Sequence, residues 1–237
     1  MGKAQKSDNK TREKRILDAT ARLLLRYGYD KMTMSDIAEE AGISKGAIYL
    51  HYDSKETLVD GLINRQTLEY AEEIIRILEQ DTDNWSFIGL YRHAIEIIPR
   101  YPLLTGLIRN SKEIFGTYFQ RTALDMMHLK RRSRPEMLQM MQQAGVIRAD
   151  LDIKIVAYTM DYMAYGLLNV EDIIPPEEAP PFGDVVNFFA EIMEKTFLPP
   201  DGGNKEAGRA IIMQLIGAYK AQLVAQDQSQ DTKEMEK

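Results

Sequence analysis

The stretch TMSDIAEEAGISKGAIYLHY, from Thr33 to Tyr52, holds two short helical patterns joined by Gly42-Ile43-Ser44. Thr33 followed by Asp36 resembles a capping box, with the threonine oxygen placed to accept from the first free amides. The helix it opens runs through Ala41. Gly42 then permits a tight turn, and Ser44 caps a second helix predicted from Lys45 to about Tyr52. Ile37, Ala38, Ala41, Ile43 and Ile48 form the apolar side of this unit. Two short helices with a glycine turn describe a helix-turn-helix. The second helix opens Lys45-Gly46-Ala47, short-chained apart from one lysine. Such a face can press into a DNA major groove, with backbone amides and Lys45 near phosphates or base edges.

Upstream, Ile16, Ala19, Thr20, Leu23, Leu24 and Tyr27 recur at helical spacing, and Gly28 reads as the stop of that helix. Before it lies a basic arm: six Lys/Arg face two Asp/Glu in the first fifteen residues, whereas the whole chain has a net charge of -6. A basic arm on an acidic body is a reason to consider nucleic acid. Downstream, the spacing predicts a long helix over 54–80, then helices near 85–98, 102–114, 116–132, 135–144, 152–172, 184–197 and 205–225. Pro99 and Pro102 bracket a corner, Pro135 marks a break, and Pro175 to Pro181 and Pro199 to Gly203 read as linkers. The expected fold is all-α. A basic arm and helix-turn-helix domain spans 1–57, a second helical domain spans 58–225, and a polar tail spans 226–237.

Composition narrows the chemistry. At 237 residues, 44% hydrophobic and 28% charged, the chain has globular composition. No apolar run approaches the roughly 20 residues of a membrane helix, and the N-terminus lacks the apolar segment of a secretory signal, so a cytoplasmic protein without membrane contact is expected. The absence of cysteine excludes a thiol nucleophile and Cys-ligated zinc, and three scattered histidines argue against a metal centre. No phosphate-binding loop, dinucleotide fingerprint or nucleophile elbow occurs, and Glu39-Glu40 and Glu72-Glu73 are adjacent rather than face-matched. Neither an enzyme, a metal site nor a cofactor is expected.

The run from Ile16 to Val59 resembles the N-terminal domain of tetracycline-repressor (TetR) family regulators. The resemblance lies in Gly28-Tyr29, Thr33, Ile37-Ala38, Ala41-Gly42-Ile43-Ser44, Gly46, Tyr49 and the Tyr52-Asp53-Ser54-Lys55 junction. It implies that Thr33 caps the second helix and touches a phosphate. It also implies that Ser44, Lys45, Gly46 and Ala47 meet base edges and backbone, and that Tyr49, His51 and Lys55 reach phosphates. Leu50-His51-Tyr52 departs from the family's usual Tyr/His pair followed by Phe. The implied function is a transcriptional regulator, most simply a repressor released from a palindromic operator by a small, mainly apolar molecule. The alternative is a dimeric architectural or protein-interaction DNA protein with no effector.

Single base contacts are worth about 1–3 kcal/mol each, so one reading unit binds weakly and a homodimer on a palindrome solves this. The predicted dimer surface pairs Ile155, Val156, Tyr158, Thr159, Met163, Gly166, Leu167 and Val170 with Val186, Phe189, Ile192 and Met193. The resemblance further implies that 58–225 is an effector-binding and dimerisation domain with an effector of unknown identity among its helices, for which Tyr91, His93, Tyr101, Phe115, Phe119, Met126, Met127 and Asp161 are candidate lining residues. The methionines suit an adaptable cavity.

Overall fold

The computed structural model describes residues 2–80, 85–119, 134–170, 174–175 and 177–235, with side chains from residue 9 to residue 221. The described residues form helices joined by turns, and no strand occurs among them. Helix α1 runs Gly2–Tyr27, α2 Met34–Ala41, α3 Lys45–Tyr49 and α4 Lys55–Gln80. They are followed by α5, Phe87–Ile97, a 3-10 turn at Ile98–Arg100, α6, Pro102–Ile108, and α7, Lys112–Phe115. Helix α8 spans 134–143, α9 Ile153–Asn169, α10 Phe182–Phe197 and α11 Lys205–Met235.

The first helix buries Ile16, Ala19, Thr20, Leu23 and Leu24, as the spacing predicts, and Thr20 returns its hydroxyl to the Ile16 carbonyl oxygen at 2.8 Å. Tyr27, the last member of the predicted stripe, is exposed instead. Gly28 follows at φ 77, and a Cβ there would lie 2.2 Å from the Glu113 carbonyl oxygen. The next amide, Tyr29 N–H, donates to the Ile114 carbonyl oxygen at 2.7 Å. The turn after α1 is therefore pressed directly onto α7, and only glycine fits the approach.

The first core gathers α1 to α3 around Leu58, Val59, Leu62 and Ile63 of α4 and takes in Leu103, Phe115 and Tyr118. It thus crosses the line drawn at residue 57 from the sequence. A second core packs Ile74 and Leu78 of the same α4 against Trp85, Ile88, Leu138, Met141, Met160, Met193 and Phe197. Each such buried side chain is worth roughly 1.5–3 kcal/mol. Helix α4, about 39 Å long at 1.5 Å per residue, is a member of both cores.

Several elements differ from the periodicity. The helix expected over 102–114 is broken at Asn110, whose φ is 55, and Ser111 restarts it by capping α7. Of the helix expected over 116–132, residues 120–132 lie outside the described residues. The last helix continues past Gln226 to Met235.

Candidate nucleic-acid interface

Helix α2 begins with the predicted capping box. Asp36 N–H donates to Thr33 Oγ1 at 3.2 Å, and Thr33 N–H donates to Asp36 Oδ2 at 3.0 Å. Its C-terminus closes through Gly42, φ 64, with Ile43 N–H reaching back to the Ala38 carbonyl oxygen at 3.0 Å. Arg15, remote in sequence, also serves this helix end. Its Nη2 donates to the carbonyl oxygens of Ala41 at 2.6 Å and Gly42 at 3.1 Å, placing a cation on the last free carbonyls of α2. The angle between α2 and α3 thus rests on a glycine and a guanidinium.

Ser44 Oγ accepts from Ala47 N–H at 3.2 Å and starts α3. This helix ends at Tyr49 rather than Tyr52, because His51 N–H and Tyr52 N–H both turn back to the Ile48 carbonyl oxygen, at 2.8 and 2.9 Å. The turn sends Tyr52 inward, where its hydroxyl donates to Glu13 Oε1 at 3.0 Å. Ile48 is buried, whereas Ser44, Lys45, Gly46, Tyr49 and Leu50 are exposed. Ala47 and His51 lie half-buried at the flank. Among the described residues beyond its own helix backbone and chain neighbours, a Cβ built on Gly46 would come within 4 Å of Ser44 Oγ alone, at 4.0 Å, so space in front of this helix is open. Thr33 is exposed as well, with its hydroxyl engaged by Asp36 at 2.8 Å.

Lys55 is employed differently from the expectation. Its ammonium donates to the carbonyl oxygens of Tyr29 at 2.8 Å and Met32 at 3.0 Å and lies 4.0 Å from the Tyr29 ring centroid. Two of its three donors are taken up in holding the α1–α2 loop to α4, which leaves one for a phosphate. The same loop is held from the other side. Thr117, through its hydroxyl and amide, bonds Asp30 and keeps that carboxyl below its usual range. Nearby, Tyr118 donates to Asp60 Oδ1 at 2.5 Å, yet burial pushes the Asp60 carboxyl above its usual value, with Glu56 adding to the rise.

The comparisons with known proteins agree with this geometry. Residues 16–62 match the family model described as bacterial regulatory proteins, tetR family. The biofilm operon icaADBC HTH-type negative transcriptional regulator IcaR of Staphylococcus aureus (strain Newman) is 30% identical over 106 residues, 43% of this chain and 56% of IcaR. The chain thus spans about half the length of that relative. The HTH-type transcriptional repressor AcnR of Corynebacterium jeikeium (strain K411) is 26% identical over 172 residues, 71% of this chain and 86% of AcnR. Among solved structures, a SmeT–triclosan complex superposes with a TM-score of 0.60 at 16% identity, covering 84% of this chain and 97% of SmeT. The chain is similar to TetR-family regulators, with the family match itself lying on residues 16–62.

The candidate effector residues are dispersed. Phe115 is fully buried and, with Phe119 at 5.0 Å between ring centroids, belongs to the core of the reading head. Tyr91 donates to the Met160 carbonyl oxygen at 2.7 Å, and burial pushes its hydroxyl up to about 12. Tyr101 donates to Glu73 Oε2 at 2.7 Å, stacks edge-on with Tyr70, and is raised to about 12 by burial and then by Glu73. Asp161 is exposed and lies 2.7 Å from Arg134 Nη1. His93 Nδ1 lies 3.2 Å from Glu96 Oε2, and the ring borders a surface groove of about 500 Å³ between α5 and α10, with Arg92, Ser86, Asn187 and Glu194 on its walls. That groove is polar rather than apolar. Met126 and Met127 lie outside the described residues.

The residues expected at a dimer surface divide between the chain's own cores and its exposed faces. Val156, Leu167, Val186 and Met193 are buried in the chain's own cores, and Phe189 packs inward. What the two helices expose is Ile155, Tyr158, Tyr162 and Tyr165 on α9 and Phe188 and Ile192 on α10. Their spacings of three and four residues put each set on one helical face. A Cβ added at Gly166 or Gly183 would meet nothing within 4 Å. The tyrosines stand at the periodicity the sequence displays, but adjacent buried positions share the same apolar character and mask it. No described helix is long and apolar enough to cross a membrane.

Proposed function

We propose that the protein is a sequence-specific DNA-binding transcriptional regulator, a repressor that binds palindromic operator DNA as a homodimer and is released by a small-molecule effector. The observation that carries this reading is the outward face of α3, where Ser44, Lys45, Gly46 and Tyr49 stand exposed on a helix whose opposite side is anchored by Ile48. Lys45 meets base edges, Ser44, Gly46 and Ala47 allow the backbone to approach, and Thr33, Tyr49, His51 and the remaining donor of Lys55 reach phosphates. Residues 1–57 supply the reading surface, 58–225 the dimer and effector regions, and 226–237 a polar tail. Catalysis has no part in this reading, and the site of action is the cytoplasm, where the operator is.

Release rests on α4. A helix belonging to both cores carries a displacement of the body into the head, and DNA demands that the two recognition helices sit about 34–36 Å apart. The relatives support the assignment, since IcaR and AcnR are named as negative regulator and repressor, and the SmeT structure holds triclosan. Randomised-site selection tests the reading. The expected result is an enriched palindrome bound by a dimer, with affinity falling steeply as salt rises through counterion release. Absence of an enriched sequence would overturn it. Triclosan titrated against operator, and operator against triclosan, gives a first measure of effector response, because linkage requires the two effects to be equal.

A further inference from the structure

We infer that Leu50 is a specificity-determining residue that reads a thymine methyl group at one position of each half-site; the inference rests on the DNA-binding reading above. Leu50 is 65% exposed, on a helix end that lies against the head's buried core. Lys45, Gly46 and Tyr49 are exposed on the same short helix, and of these Gly46 shares the side of Leu50. At 100° per residue, Leu50 stands 40° from Gly46 and one turn further along the helix. Gly46 carries no side chain, and the space in front of it is open. Whatever approaches Gly46 closely therefore reaches Leu50 as its next contact.

The chemistry of that contact is restrictive. A leucine side chain has no donor or acceptor, so it gains nothing from a phosphate oxygen or a base-edge polar group and would desolvate either. The one apolar element displayed on the floor of the major groove is the C5-methyl of thymine. Lys45, Tyr49 and Ser44 have polar partners available in a groove; Leu50 has only this one. Burying one methyl is worth roughly a factor of four in affinity, hence about fifteenfold over the two half-sites of a palindrome.

The test uses the full-length protein and the operator obtained by site selection. Each thymine of the half-site is replaced in turn by uracil, which removes the methyl and leaves the pairing edge intact, and Kd is measured for wild type and Leu50→Ala. Because Leu50 is exposed, the variant is expected to fold, and thermal unfolding checks that it does. The expected result is one symmetric position at which uracil costs the wild type about fifteenfold and costs Leu50→Ala almost nothing. If uracil weakens both proteins equally at every position, or if Leu50→Ala lowers affinity alike for all sequences, the methyl assignment is overturned and Leu50 packs on sugar or protein instead. If the wild type selects no sequence at all, the regulator reading fails first and the Leu50 assignment with it.

Discussion

The Lys55 ammonium lies 4.0 Å from the Tyr29 ring centroid and donates to the Tyr29 carbonyl oxygen at 2.8 Å. With the Met32 carbonyl oxygen at 3.0 Å, this makes the lysine the clasp between α4 and the loop after α1. Charge-assisted hydrogen bonds are worth about 1.5–3 kcal/mol each, and a half-buried cation–π contact about 1 kcal/mol. Lys55→Ala should therefore destabilise the protein by roughly 2 kcal/mol after solvent screening, read as a lower urea midpoint. A pure phosphate contact would instead leave the midpoint unchanged and reduce the salt dependence of DNA binding by about one ion.

Asp60 sets a pH dependence of definite sign. Burial raises its carboxyl above the ordinary range, against the Tyr118 hydrogen bond and with help from Glu56. The folded form then holds its proton more tightly than the unfolded form. Stability from this group is fully present below the unfolded value and is lost as pH rises through the folded one. Asp60→Asn keeps an acceptor for the Tyr118 hydroxyl and removes the titration. Urea midpoints across pH 4 to 7 should converge for the two proteins at the acid end, with the variant gaining on the wild type as pH rises. A constant difference would show that the carboxyl does not titrate in this interval.

Arg15 and Gly42 close the same helix end by different means. Arg15→Ala removes the cation from the Ala41 and Gly42 carbonyl oxygens and should cost about 1 kcal/mol. Gly42→Ala imposes a side chain at φ 64 and brings a Cβ to 3.0 Å from Arg15 Nη2, again costing about 1 kcal/mol. The double variant should cost less than the sum, because the alanine at 42 displaces the guanidinium that the other change removes. Chemical denaturation of the four proteins completes the cycle, and strict additivity would mean the two groups act independently.

The reading head was legible in the sequence because its devices are local. A cap at Thr33, a glycine at 42 and a cap at 44 act within a few residues, and each is present in the structure as read. Arg15 was not legible, since the carbonyls it serves are 26 and 27 residues away. Lys55 shows only its charge in the sequence, and the fold alone brings the Tyr29 and Met32 carbonyls beneath it. Phe115 and Phe119 show only apolar surface in the sequence, which suits a cavity and a core alike. Their assignment to the head depends on Gly28 letting α7 approach, a contact across more than eighty residues.

The exposed apolar face of α9 and α10 is the surface expected to pair two chains. Tyr162 is 71% exposed, Ile155 66%, Phe188 62% and Tyr158 59%, and the Tyr158 and Tyr162 rings lie 6.2 Å apart. A monomer that left these side chains in water would carry a contiguous apolar patch of the kind that marks association sites. A two-fold axis through this face would pair each patch with its own copy, giving four helices in one interface, with Gly166 and Gly183 free of local contacts that would hold the partner away. Tyr162→Asp places a charge at the most exposed point of the face without touching the chain's own core. Burying two such charges against each other in a dimer should cost several kcal/mol, enough to shift a micromolar dimer to monomer at working concentrations. Sedimentation equilibrium should give the mass of one 27.2 kDa chain for the variant and twice that for the wild type. Because the core is untouched, circular dichroism should remain helical. Operator affinity should fall by well over tenfold, since each head then binds its half-site alone. A variant that stays dimeric would move the interface away from α9 and α10.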